Sequence, residues 1–162
     1  MNRYVRKSLE WVACHALAFA LFAPWAKMEG EAGKWGFTAL PLLFACAQLY
    51  PLRRHARWWA WLPATYFLGY IASFIFLMLY FVAMGFTLSV AQALCLAPRR
   101  PLIALLWIPL GVLGWIGGLL LSPVVILRED GIAYWIVPFA CYALAVLPAV
   151  LLLEKAEPAT AA

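Results

Sequence analysis

Charged side chains are scarce in this chain: Asp, Glu, Lys and Arg together make up 12% of its 162 residues. Between Trp58 and Ala97 there is none at all, nor a histidine, in 40 consecutive residues. A soluble domain carries about a quarter of its residues as charges to face water, so no stretch of this chain reads as one. Histidine is rarer still, with only His15 and His55. His15 has no second histidine at helical spacing to complete a bis-histidine haem site, and no intramembrane carboxylates with which to build a di-metal site. The four cysteines, Cys14, Cys46, Cys95 and Cys141, include no C-x-x-C pair and do not alternate with histidine. Zinc and thioredoxin-like chemistry therefore lack support, and each thiol is expected to act as a small buried hydrophobe. The chain also lacks G-x-S-x-G, H-E-x-x-H and G-x-x-x-x-G-K, the patterns of serine hydrolases, zinc proteases and P-loop proteins. No catalytic residue, metal or cofactor is expected, and the reading is that this is not an enzyme.

What is abundant is apolar surface. The chain is 67% hydrophobic with a mean hydropathy of +0.90. This profile belongs to proteins that cross a bilayer several times. The uncharged run from Trp58 to Ala97 would reach about 60 Å as one helix, twice the roughly 30 Å of bilayer hydrocarbon. It must be bent, broken or doubled back. The expected fold is all-α, a polytopic transmembrane helical bundle of six spans, with five as the alternative. Residues 1–153 form a single transmembrane domain and 154–162 a disordered polar tail.

The net charge of +5 arises from short basic clusters beside apolar runs: Arg3, Arg6 and Lys7; Arg53, Arg54 and Arg57; Arg99 and Arg100. Clusters so placed orient a membrane protein and meet anionic headgroups, which makes the lipid bilayer the expected partner and not nucleic acid. Dividing the long run in two puts nine Lys and Arg on the cytoplasmic side against three outside; one crossing gives seven against five. The positive-inside rule favours the first, with a turn near Tyr80–Gly85 and the N-terminus cytoplasmic in a bacterial inner membrane.

Along the chain, Leu9 to Trp25 reads as the first span, uncleaved, because Pro24 disfavours processing there. A polar turn from Lys27 to Lys34 precedes the second, Trp35 to Leu52. Pro41 is tolerated in it where neighbours satisfy the freed carbonyl. His55 falls in the basic, tryptophan-flanked interface after that span. Leu102 to Leu127 and Ala133 to Leu153 are the last two spans, the latter interrupted by Pro138 and Pro148.

Two stripes of small residues are candidate helix-packing faces. Ala13, Ala16 and Ala20 share one face of the first span, and Gly111, Gly114, Gly118 and Ser122 share one face of the fifth. The polar residues within the apolar segments are His15, Gln48 and Gln92, each a few residues from the cytoplasmic edge of its span. An unpaired amide or imidazole is costly in hydrocarbon. These three are therefore expected to point inward, either as a structural clamp or as a ligand-binding site. The function expected is that of an accessory or assembly subunit packing against another membrane protein. The alternative is a small-molecule carrier or substrate-binding subunit with an aromatic-lined pocket between helices.

Overall fold

The computed structural model describes residues 2–24, 30–56, 58–71, 80–125 and 132–155. Among them are six α-helices and one π-helical segment, with no strand.

Helix α1 (Arg3–Phe22) opens where the Asn2 side chain accepts from the Tyr4 backbone N–H at 3.0 Å, capping one of the donors left unpaired at a helix start. It ends just before Pro24, which has no backbone N–H to continue the ladder; Ala23 still holds helical geometry and donates to the Phe19 carbonyl at 2.9 Å. Its buried face is Lys7, Trp11, His15, Ala18 and Phe22. Ala13, Ala16 and Ala20 lie on the other side and are exposed. Among the described residues, the alanine stripe therefore does not serve as the contact face of α1. Trp11 and Phe22 bring far more area to the interior than alanine could, and they decide which way the helix turns.

Helix α2 (Gly30–Leu52) starts inside the stretch expected to be a polar turn and passes Pro41 without ending. Helix α3 (Trp58–Pro63) continues directly as the π-helical segment Ala64–Ile71. Pro63 has no N–H to close an ordinary helical turn, and the wider pattern begins at the next residue. Helix α4 (Tyr80–Leu96) occupies the place where a turn was expected. Gly85 is well inside it and packs against Trp115: a Cβ there would strike that indole ring. The glycine is a packing position, not a chain reversal.

Helix α5 (Pro101–Val125) begins at a proline, which suits the first turn because its missing N–H has no helical partner to lose. Helix α6 (Ile132–Lys155) runs through both Pro138 and Pro148. It also includes Glu154 and Lys155, so the expected tail does not begin at 154; residues 156–162 lie outside the described set. The most extensive contact in the molecule is α5 on α6, with α4 on α5 and α1 on α2 next.

The glycines explain the first of these. Added Cβ atoms at Gly114 and Gly118 would meet the Ala145 side chain and the Pro138 backbone of α6, and one at Gly111 would meet Ser89 of α4 and the Tyr142 ring. Gly117, on the other side of α5, has open space around it. Ser89 and Ser122 return their hydroxyls to the carbonyls four residues back, Gly85 at 2.6 Å and Gly118 at 2.7 Å, so both are satisfied without water.

Two contacts align the helix ends. The Arg99 guanidinium donates to the Arg54 carbonyl at 3.2 Å, and the Lys7 ammonium meets the Glu154 carboxylate at 2.7 Å. With His55 Nε2 3.8 Å from the same Glu154 carboxylate, the start of α1 and the ends of α2, α4 and α6 lie at one end of the bundle. Among the described residues, two helices are long and apolar enough to cross a membrane, α5 over Pro101–Ser122 and α6 over Ile136–Lys155. Shorter apolar stretches cover Pro41–Leu52 and Ala83–Leu96.

The core is aromatic. Trp61 and Trp11 each meet Trp107 edge-on, with ring centroids 6.1 and 6.3 Å apart, and Phe44 and Trp115 flank Phe139 at 4.8 and 5.0 Å. Edge-to-face pairs at these separations are favoured by the ring quadrupoles. The cysteines are not part of this core: Cys46 is exposed and the other three are half-buried.

Candidate functional site

At the centre of the bundle, side chains from five segments meet in one hydrogen-bonded knot. Gln92 of α4 is its hub. Its Nε2 donates to Gln48 Oε1 of α2 at 2.6 Å and, at 3.4 Å, to Thr65 Oγ1 in the π-helical segment. Its Oε1 accepts from Trp107 Nε1 of α5 at 3.1 Å and from the Tyr142 hydroxyl of α6 at 2.9 Å. The indole N–H is shared, since Tyr142 Oη is also 3.1 Å from it. None of these five side chains has measurable exposure: each is 0% accessible.

The orientation of the amides follows from chemistry. An indole N–H can only donate, so the oxygen of Gln92 must be the atom that faces Trp107. Its nitrogen then faces Gln48, which must answer with oxygen. That ordering uses both donors and both acceptor positions of Gln92. It leaves Gln48 Nε2 buried and without a hydrogen-bond partner. A buried unsatisfied donor costs about 1–3 kcal/mol, so the knot is complete at its hub and open at one corner.

The π-helical segment is what allows Thr65 to take part: its widened turns carry the hydroxyl inward two residues after Pro63. Gly111 does the same for Tyr142 and Ser89, since any side chain there would occupy their space.

His15 is not hydrogen-bonded into this knot. Its Nδ1 lies 2.7 Å from the Trp11 carbonyl, which can only accept, so Nδ1 carries the proton. Nε2 is then an acceptor, and it too is buried without a partner. The ring lies between Trp11 and Phe44, at 4.5 and 5.2 Å. Trp11 in turn donates its indole N–H to the Ala143 carbonyl at 2.8 Å, tying α1 to α6. Of the three candidate ligand residues, the structure joins Gln48 with Gln92 directly, and places His15 beside them through Phe44 and Trp11. Trp61 adds a third unpartnered group, its Nε1 being buried without an acceptor.

Sequence reasoning passed over Thr65, Trp107 and Tyr142. Tryptophan and tyrosine score as hydrophobic, yet each carries one polar atom that must find a partner when buried. Asking that question of every mid-helix Trp and Tyr would have reached Trp107 and Tyr142.

A second polar cluster holds the end of the bundle. Lys7 is buried to 7% exposure and sits between Glu154, at 2.7 Å, and Glu10, at 3.9 Å. His55 was expected in a solvated interface but is 5% exposed, with Nε2 3.8 Å from the same Glu154 oxygen. The turn after α2 folds back over the end of α6, and that contact removes His55 from solvent. Chemically, the central knot offers neutral donors and acceptors, and the end cluster offers paired charges.

Comparison of the chain with protein-family models, with curated proteins and with solved structures gives no match.

Proposed function

We propose that this chain is a multi-pass protein of a bacterial inner membrane, with six crossings and a cytoplasmic N-terminus. In this reading it acts without catalysis, as an accessory or assembly subunit that packs against other membrane proteins. The observation that carries it is the division between a hydrogen-bonded interior and an outward-facing stripe of small residues. Gln92, Trp107 and Tyr142 pair their polar atoms with one another and with the Gln48 oxygen at zero exposure, while Ala13, Ala16 and Ala20 face outward. Lipid chains gain little from a small-residue face, whereas a second helix gains close approach. The alanine face of α1 is then where the partner sits. Supporting the crossing number, the Arg54–Arg99 contact places the residues before α3 and after α4 at the same end.

The test is purification of the full chain in mild detergent, with mass spectrometry of what accompanies it. A membrane protein recovered with the wild type should be lost with Ala16→Leu. Because Ala16 is exposed, that variant should fold and be extracted as the wild type is. Equal recovery of the partner with both forms would remove the alanine face from the proposal.

A second reading, a small-molecule carrier with an aromatic-lined pocket between helices, is favoured by the unpartnered groups on Gln48, His15 and Trp61. A ligand presenting both acceptors and a donor would satisfy them. Under this reading Gln48→Leu should fold normally yet lose a small molecule that mass spectrometry finds bound to the wild type.

A further inference from the structure

At the end of the bundle a cleft opens between the first turns of α1 and the turn that succeeds α2. Arg3 and Arg6 line one side, Arg53 and Arg54 the other, with Lys7 and Glu154 between them; Glu10 completes the lining. Five cations face two carboxylates, an excess of three positive charges in one concavity.

The two parts of the cleft differ in kind. Lys7 and Glu154 have side-chain exposures of 9% and 13% and neutralise each other at 2.7 Å, forming a fixed floor. The rim is held in place and carries the excess charge of the described lining. Arg53 donates to the Tyr50 carbonyl at 2.8 Å and lies over the Tyr50 ring at 4.0 Å, which sets its direction. The backbone of Arg54 is anchored by Arg99. Arg6 has Glu10, at 3.7 Å, as a carboxylate partner, and keeps 65% of its side chain exposed. Four guanidiniums converge on the cleft from two segments far apart in sequence, and among the described lining residues they outnumber the carboxylates. An anion of matching shape would relieve their repulsion, and a phosphate oxygen pair fits a guanidinium fork.

The surface below the rim selects the source of that phosphate. Two and three turns beyond Glu10, beside the alanine stripe of α1, come Leu17 and Leu21, both exposed. Below Arg53 on α2, the exposed residues Tyr50, Cys46 and Leu42 succeed one another at four-residue steps. A basic concavity that continues into an outward apolar wall suits a headgroup with its acyl chains attached, and not a free ion.

We infer that this cleft is a binding site for the phosphodiester of an anionic membrane phospholipid, with the rim arginines on the phosphate and the acyl chains along α1 and α2. The inference rests on the membrane reading above. The two separate experimentally. Release of the chain from native membranes by alkaline carbonate overturns the membrane reading, whereas retention in the membrane without a response to anionic lipid overturns the cleft alone.

The full chain in a neutral maltoside detergent is titrated with dioctanoyl phosphatidylglycerol, dioctanoyl phosphatidylcholine or inorganic phosphate, and thermal unfolding is followed by tryptophan fluorescence. Phosphatidylglycerol should raise Tm by about 5 °C at saturation, with no comparable rise from the other two. Arg6→Gln combined with Arg53→Gln should weaken that effect about thirtyfold in concentration, from two surface cations lost. Arg100→Gln with Lys155→Gln, which removes the same charge away from the cleft lining, should keep it. Equal stabilisation by phosphatidylcholine, or an undiminished response in the Arg6/Arg53 variant, overturns the site. Equal stabilisation by inorganic phosphate overturns the lipid as its source. If the arginine variant does not fold, the wild type decides. Its response to phosphatidylglycerol should vanish between about 50 mM and 500 mM salt, where screening shortens from more than 10 Å to a few ångströms; persistence at high salt overturns the proposal.

Discussion

Gln92 makes four hydrogen bonds with a side chain that has four hydrogen-bonding positions, and Gln48 makes one. That asymmetry predicts unequal mutants. Replacing Gln92 with Leu leaves the Trp107 N–H with the Tyr142 oxygen alone, takes a partner from the Thr65 and Tyr142 hydroxyls and strands the buried Gln48 oxygen, and should cost about 2–3 kcal/mol. Gln48→Leu removes one bond but also abolishes a buried, unpartnered amide donor, and should cost less than about 1 kcal/mol. The Gln48→Leu, Gln92→Leu double variant should be no worse than Gln92→Leu alone, because the bond between them can be lost only once. Unfolding of the detergent-solubilised protein, followed by tryptophan fluorescence, measures all three; a Gln48→Leu variant as damaged as Gln92→Leu would refute the hub assignment. Both glutamines stand out in the sequence as polar groups within apolar runs. Their partners do not, because Trp107 and Tyr142 display their polar atoms only once the fold places them near an amide.

At the scale of elements, the packing of α5 on α6 depends on which glycines face the partner. Gly117 and Gly118 are neighbours in sequence and opposites in surroundings: a Cβ on Gly118 would run into the Pro138 backbone, while one on Gly117 meets nothing within 4 Å. Gly118→Ala should therefore lower folded yield and cost about 1–3 kcal/mol through overpacking against a backbone that cannot move aside. Gly117→Ala should be neutral or stabilise by about 0.5–1 kcal/mol, the gain of alanine over glycine within a helix. Comparable losses from both would show that helix propensity, not contact, governs α5. The stripe Gly111, Gly114, Gly118, Ser122 is readable from spacing alone. The matching stripe on α1 is equally readable and yet faces outward. In a helix with apolar residues on every side, small-residue spacing marks a face that could accept a helix, but not whether this chain supplies one.

For the whole molecule, the contacts of Arg99 with Arg54, of Lys7 with Glu154 and of His55 with Glu154 gather four helix ends together. With six crossings, reporter domains fused after Ala97 and after Ala162 should both report a cytoplasmic location. A periplasmic signal at either position would revive the five-span arrangement.

The helical, strand-free character of the described residues was legible in the scarcity of charge, since a backbone withdrawn from water must pair within its own helix. The basic clusters at segment ends and the polar residues within the runs are likewise explicit in the residue order. Three features depended on tertiary structure. Trp11 and Phe22 turned α1 so that its alanines face out. Gly85 proved to be a seat for Trp115 within a continuous helix. Glu154 was drawn from the expected tail into contact with Lys7 and His55. Each turns on which surface meets which. In an apolar chain, neighbouring faces differ little in hydrophobicity, so shape and a few polar partners decide the outcome, and those exist only after the helices have met.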